Sequence, residues 1–253
     1  MTAQDPVVAG AQEGSGLKTA IDTVVSPGEA FDRLRVAPTW GWAFLIVFVL
    51  LAIGVLLQQP ANTHASIGYT EHMMNTSPLF ANMTPAQKQK AIDDAKHPSA
   101  IKMVFAVFFV PIVILFTALF ATVVMLIFNG IGRGTATFMS LWASAINISI
   151  ISLGLGGLVL GIICLLRGPD SFTQITDLAT AAPGLGYFAR GGSPFTSTFL
   201  AGFSIFTIWG AYLISLAMQR VARVSAGLGY TTGATTLIIG ALFPACFALF
   251  FAR

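Results

Sequence analysis

The chain has 253 residues, 55% of them hydrophobic and 9% charged, with a net charge of +3 and a mean hydropathy of +0.81. Soluble domains carry about 25% charged residues, so this composition excludes a water-soluble fold and defines an integral membrane protein. The basic excess is small and spread over several loops, which suits lipid headgroups and gives no nucleic-acid patch.

Residues 1–16 have no basic cluster leading into an apolar core and are expected to form a short disordered tail rather than a cleavable signal peptide. From there a membrane domain is expected over 17–253. Leu17, Ala20, Ile21, Val24 and Val25 recur at helical spacing and predict a first short amphipathic helix. Ser26-Pro27-Gly28-Glu29 then reads as a capping box opening a second. Ala30, Phe31 and Leu34 lie on one side of it and Asp32, Arg33 and Arg35 on the others. The expectation is a helix lying along the headgroup plane with its apolar face down. Pro38 turns the chain, and Trp40 and Trp42 suit the water boundary where the first span begins.

Apolar segments follow at about 40–57, 101–128, 138–166, 198–218 and 233–252, each near or above the ~20 residues needed to cross ~30 Å of hydrocarbon. None carries Asp, Glu, Lys, Arg or His in its interior. The expected fold is therefore all-α: a polytopic transmembrane bundle of five spans behind an interfacial amphipathic helix. Pro111 in the second span and Pro244 in the fifth mark expected kinks. Five crossings put Lys18, Arg33, Arg35, Arg133, Arg220 and Arg223 on the N-terminal side. Lys88, Lys90, Lys96, Lys102, Arg167, Arg190 and Arg253 fall on the other, so charge alone does not set the orientation. Between the first two spans, "MTPAQKQKAIDDAKHP" predicts a polar helix capped by Thr84 and Gln87, started by Pro85 and stopped by Pro98.

Reactive chemistry is sparse. Charge-free spans lack the intramembrane ionisable groups that ion-coupled pumps use. Asn147, with Ser144, Ser149 and Ser152 nearby, is expected to hydrogen-bond across helices. Gly157-x-x-x-Gly161 predicts a close helix crossing, within the chain or between copies. A second pair, Gly229 and Gly233, is placed at a span's edge, with only the first inside a span. Cys164 and Cys246 match no metal or redox spacing and read as small buried hydrophobes. His64, His72 and His97, with Glu71, match no zinc framework, and Ser204 has no histidine on a span to activate it. No cofactor, metal or catalytic residue is expected.

Four stretches carry a family resemblance: "VVSPGEAFDRLRVAPTWGWAFL", "MTPAQKQKAIDDA", "FNGIGRGTATFMSLWASAINISIISLG" and "FSIFTIWGAYLISLAMQRVARVSAG". In their order and spacing the chain resembles a bacterial member of the Yip (Ypt-interacting protein) domain family of five-span membrane proteins. The resemblance implies five helices, a cytoplasmic N-terminus, the bacterial inner membrane and no known catalytic activity. Eukaryotic relatives are associated with Rab-type GTPases, vesicle traffic and membrane shaping. Their Asp-Leu-Tyr-Gly-Pro stretch before the first span is replaced here by "VAPTWGW", which argues against carrying over GTPase binding. The expected role is to organise or adapt other membrane components, with the bilayer and a membrane protein or second copy as partners. The alternative is a pore or facilitator for a small neutral solute, lined by Pro111, Asn147 to Ser152 and Pro244. An intramembrane hydrolase is a distant third.

Overall fold

The computed structural model describes residues 15–76, 82–96, 100–189 and 192–251. Among these, the regular elements are helices, with one isolated antiparallel bridge between Gly184 and Ser204. In chain order they are α1 (Ser15–Val25), α2 (Pro27–Val36), α3 (Gly41–Thr76), α4 (Pro85–Lys96), α5 (Ala100–Ile131) and α6 (Phe138–Ser149). A π-helical stretch, Ile150–Leu155, joins α6 to α7 (Gly156–Arg167). A 3₁₀ turn at Pro169–Ser171, α8 (Ile175–Ala179) and a second 3₁₀ turn at Leu185–Ala189 lead to α9 (Pro194–Ala201), α10 (Ile205–Arg220) and α11 (Ala226–Phe251). Helices dominate because hydrocarbon offers no partner to a backbone N–H or C=O, and a helix satisfies both within one segment.

Among the described residues, four helical stretches are long and apolar enough to cross a bilayer: Gly41–Asn75, Met103–Ile131, Phe138–Arg167 and Ala226–Leu249. The chain is a multi-pass membrane protein. The segment expected as the fourth span is interrupted. It divides into the 8-residue α9 and the 16-residue α10, each shorter than a crossing requires. The interruption has a local cause. The Ser204 hydroxyl accepts from Thr207 N at 3.2 Å and caps α10, while Thr207 Oγ1 donates back to Gly202 O at 2.7 Å.

Helix α3 outruns its expected end at Leu57 by 19 residues (36 in all, closing at Thr76) and passes through Pro60. Packing explains the extension. Ala61 and Ala65 join Cys164, Phe172, Leu178 and Ala181 in one buried apolar cluster, so the polar half of α3 is held by small residues facing the 169–182 segment. Neither Pro111 nor Pro244 ends its helix.

The chain forms two compact units. The first comprises Met1–Val49, Val113–Gly154 and Trp209–Thr236. In it α1 and α2 pack on each other and on α6, and its fully buried large side chains include Phe31, Leu34, Leu141, Ile146, Leu213 and Met218. The second comprises Leu50–Ile112, Leu155–Ile208 and Leu237–Arg253, with the Ala61–Phe172 cluster as a core. Of the expected tail, residues 1–14 lie outside the described residues, whereas Ser15 and Gly16 form the first turn of α1.

The two predicted capping boxes part company. Around α4, Thr84 N donates to Gln87 Oε1 at 2.9 Å and Gln87 N to Thr84 Oγ1 at 3.3 Å. Ser26 makes no side-chain cap to α2. Its backbone N–H instead donates to Asp22 O at 2.7 Å, finishing α1, so the serine belongs to a tight junction between two helices.

Candidate functional site

The first unit carries a platform made of α1 and α2. Arg33 is its centre: its guanidinium pairs with Asp22, its Nε donates to Thr19 Oγ1 at 3.3 Å, and Glu29 lies 3.9 Å away. Asp32 accepts from Arg220 at 3.3 Å and ties α2 to the end of α10. Arg35 is exposed. The face expected to rest on headgroups is turned inward: Ala30, Phe31 and Leu34 are all 0% exposed. The correction has a simple physical reason, since an apolar face gains as much against α1 and α6 as against lipid, and the Arg33–Asp22 pair fixes it there. Helix α1 shows the reverse polarity. Thr19 and Thr23 are buried, with Thr23 Oγ1 donating to Thr19 O at 2.9 Å, while Leu17, Ile21 and Val25 are exposed. Trp40 is half-buried, edge-on to Phe44 at 6.2 Å between ring centroids, and Trp42 is exposed.

Asn147 is fully buried in the same unit. Its Nδ2 donates to Thr39 O at 3.0 Å, just before α3 begins, and to Ala143 O at 2.8 Å on its own helix. The Oδ1 atom and Thr39 Oγ1 are buried without a hydrogen-bond partner among the described residues. The serines nearby turn back on their own helix: Ser144 to Ser140 O at 2.7 Å and Ser149 to Ala145 O at 2.9 Å. Among the described residues of that polar group, only Asn147 hydrogen-bonds to another segment, because the short serine hydroxyls donate to the i−4 carbonyls of their own helix. Two basic turns sit side by side here, joined by Thr135 N donating to Ala222 O at 3.0 Å. Arg133 and Arg223 hold positive φ angles of 50° and 57°.

Glycine brings backbones close in each unit. In the second, a methyl group on Gly161 would lie 2.7 Å from Gly54 O, and one on Gly54 would strike Gly157 O. Gln58 Nε2 bridges the crossing, donating to Gly54 O at 3.0 Å and Gly157 O at 3.4 Å. The Gly157–Gly161 pair is thus spent inside the chain, against α3. In the first unit, Gly229 and Gly233 prove to lie within α11 rather than at its edge. They pack on Ala211 and Ser215 of α10, with Ser215 O 2.8 Å from a methyl placed on Gly229.

Around α7 the second unit gathers its polar side chains. His64 Nδ1 lies 2.9 Å from Phe172 O, and His64 Nε2 lies 3.6 Å from Asp170. Arg167, the last residue of α7, stacks its guanidinium 5.0 Å from the centre of the Phe172 ring. It borders an open cleft of about 610 Å³ whose walls include Ile163, Ala182, Pro183, Tyr187 and Phe188. Among the described residues, no three of His, Cys, Asp and Glu gather to hold a metal ion. The His72 side chain and His97 lie outside the described residues, and the Ser204 hydroxyl is taken up by Thr207 Oγ1 at 3.1 Å. The cleft was invisible to sequence reasoning because Arg167 looks like an ordinary flanking charge. The available signal was "TAAPGLGYF", a stretch outside the spans more apolar than a solvated loop requires.

These features form a multi-pass helical scaffold with backbone-tight crossings, a docked N-terminal platform and an open cleft beside Arg167. The family model for the Yip1 domain matches residues 21–252, nearly the whole chain, and the protein belongs to that family. No curated protein and no solved structure shows a match.

Proposed function

We propose that the chain is a non-enzymatic protein of the bacterial inner membrane that organises or adapts other membrane components. In this reading it crosses the bilayer five times with its N-terminus in the cytoplasm. Four crossings are the long apolar helices, and the fifth is α9 with α10. The irregular backbone between them is tolerable at membrane depth because protein groups satisfy it: Leu185 N donates to Phe203 O at 3.1 Å and Ile205 N to Pro183 O at 3.0 Å.

The observation that carries the role is α5. Only 17% of its most apolar stretch is buried in the chain, and Phe105, Phe108, Phe109 and Ile112, spaced i, i+3, i+4, i+7, form one exposed face. A chain that folds its small residues inward and its aromatics outward offers a broad contact ridge for another span. A solute path through Asn147 has less support, since that side chain is fully buried and held by two carbonyls.

A photo-crosslinking residue placed at Phe108 or Phe109 in living cells is expected to capture a reproducible, stoichiometric protein partner or a second copy. Capture of lipid alone at both positions, with faster flux of a neutral solute into reconstituted liposomes than into empty ones, would overturn the reading in favour of a facilitator.

A further inference from the structure

Among the described residues, no anion pairs with the cation at the end of α7. Arg167 is exposed, and among the described residues nothing accepts a hydrogen bond from its guanidinium or pairs with it. Asp170, three residues on, faces His64 at 3.6 Å instead. What holds the guanidinium is the Phe172 ring, 5.0 Å away and itself 0% exposed, so the planar fork rests on an apolar base, with its N–H donors uncommitted among the described residues. The carbonyls ending α7 favour a cation there and add no competing carboxylate.

The cleft beside it mixes this charge, the Tyr187 hydroxyl and backbone polar atoms with apolar walls. Ile163, Ala182, Pro183 and Phe188 supply methylene and ring surface, and Phe188 is 81% exposed. The far wall is pinned to the start of α10 by Ile205 N donating to Pro183 O at 3.0 Å, so the groove stays formed without an occupant. A guanidinium fork binds phosphate oxygens through two parallel hydrogen bonds, and an apolar groove opening from that fork fits a hydrocarbon chain. Arg167 also closes a membrane-crossing stretch, which is headgroup depth.

We propose that this cleft is a binding site for an acidic phospholipid: Arg167 takes the phosphate, and an acyl chain lies over Ile163, Pro183 and Phe188. The site does not depend on the organising role above.

The full chain, purified in mild detergent and stripped of lipid by exchange, is offered phosphatidylglycerol or phosphatidylcholine, and retained lipid is counted by native mass spectrometry. Wild type is expected to prefer phosphatidylglycerol about 10-fold, because both lipids offer the phosphate but the trimethylammonium of phosphatidylcholine brings a second cation beside Arg167 and weakens that contact. Arg167→Gln abolishes the preference, Arg167→Lys keeps part of it, and Ala182→Trp blocks the groove and lowers retention of both lipids. Arg133→Gln and Arg223→Gln, on exposed turns elsewhere, leave it intact. Equal preference in wild type and Arg167→Gln overturns the proposal. Displacement of phosphatidylglycerol by millimolar inorganic phosphate overturns the lipid assignment and makes the ligand a free phosphate. Circular dichroism and melting curves establish that each variant is folded, and Ala182→Trp with Arg167→Lys keeps the test standing should Arg167→Gln not fold.

Discussion

Helices α2 and α4 begin with nearly the same words, Ser-Pro and Thr-Pro, yet they draw stability from opposite sources. Helix α4 has both hydrogen bonds of its capping box, and every one of its side chains described is exposed or half-exposed. Helix α2 has no side-chain cap, but buries Phe31 and Leu34 completely and locks them with Arg33. Magnitudes explain which matters more. A cap is worth about 0.5–2 kcal/mol, whereas burying one large apolar side chain is worth about 1.5–3 kcal/mol. Identical punctuation therefore marks where a helix starts without saying what holds it.

Breaking α2 at its core has the largest expected effect. Phe31→Ala loses the transfer energy and leaves a cavity, about 3–5 kcal/mol, read as a lower midpoint of denaturant unfolding in mild detergent followed by tryptophan fluorescence. Arg33→Gln removes the partly buried pair with Asp22 and is expected to cost about 1–2 kcal/mol in the same assay, with Arg33→Lys recovering a fraction. The smallest effects sharpen the contrast. Thr84→Ala should loosen only α4, by about 1 kcal/mol, seen as faster hydrogen exchange of the first-turn amides, while Ser26→Ala stays within about 0.5 kcal/mol. If Ser26→Ala matched Thr84→Ala, the distinction between a capped and a packed helix would collapse.

Four spans and α4 were legible because their signals are continuous: uncharged apolar runs in one case, Thr-Pro-x-Gln punctuation in the other. The interruption at Gly202 to Ser204 was hidden because Phe203 and its neighbours keep the segment apolar straight through it, and hydropathy does not register a serine cap. The extension of α3 was hidden for the converse reason: Gln58, Pro60 and Asn62 look like a loop, and only the tertiary contacts of Ala61 and Ala65 make them helical. For α2, amphipathicity revealed an apolar face and could not say whether lipid or protein would cover it. The Arg167 cleft depends on elements distant in sequence, residues 163–167 and 181–188, which no local pattern joins.

The length of α3 has a mechanical consequence. Thirty-six residues rise about 54 Å, against ~30 Å of hydrocarbon. Tilt alone would need about 56° to absorb the difference, beyond the ~0–40° that spanning helices adopt. Part of α3 therefore extends beyond the acyl chains, and its polar C-terminal half is the part that water accepts. The exposed Glu71, near the end of α3, lies in the polar stretch that follows the apolar run.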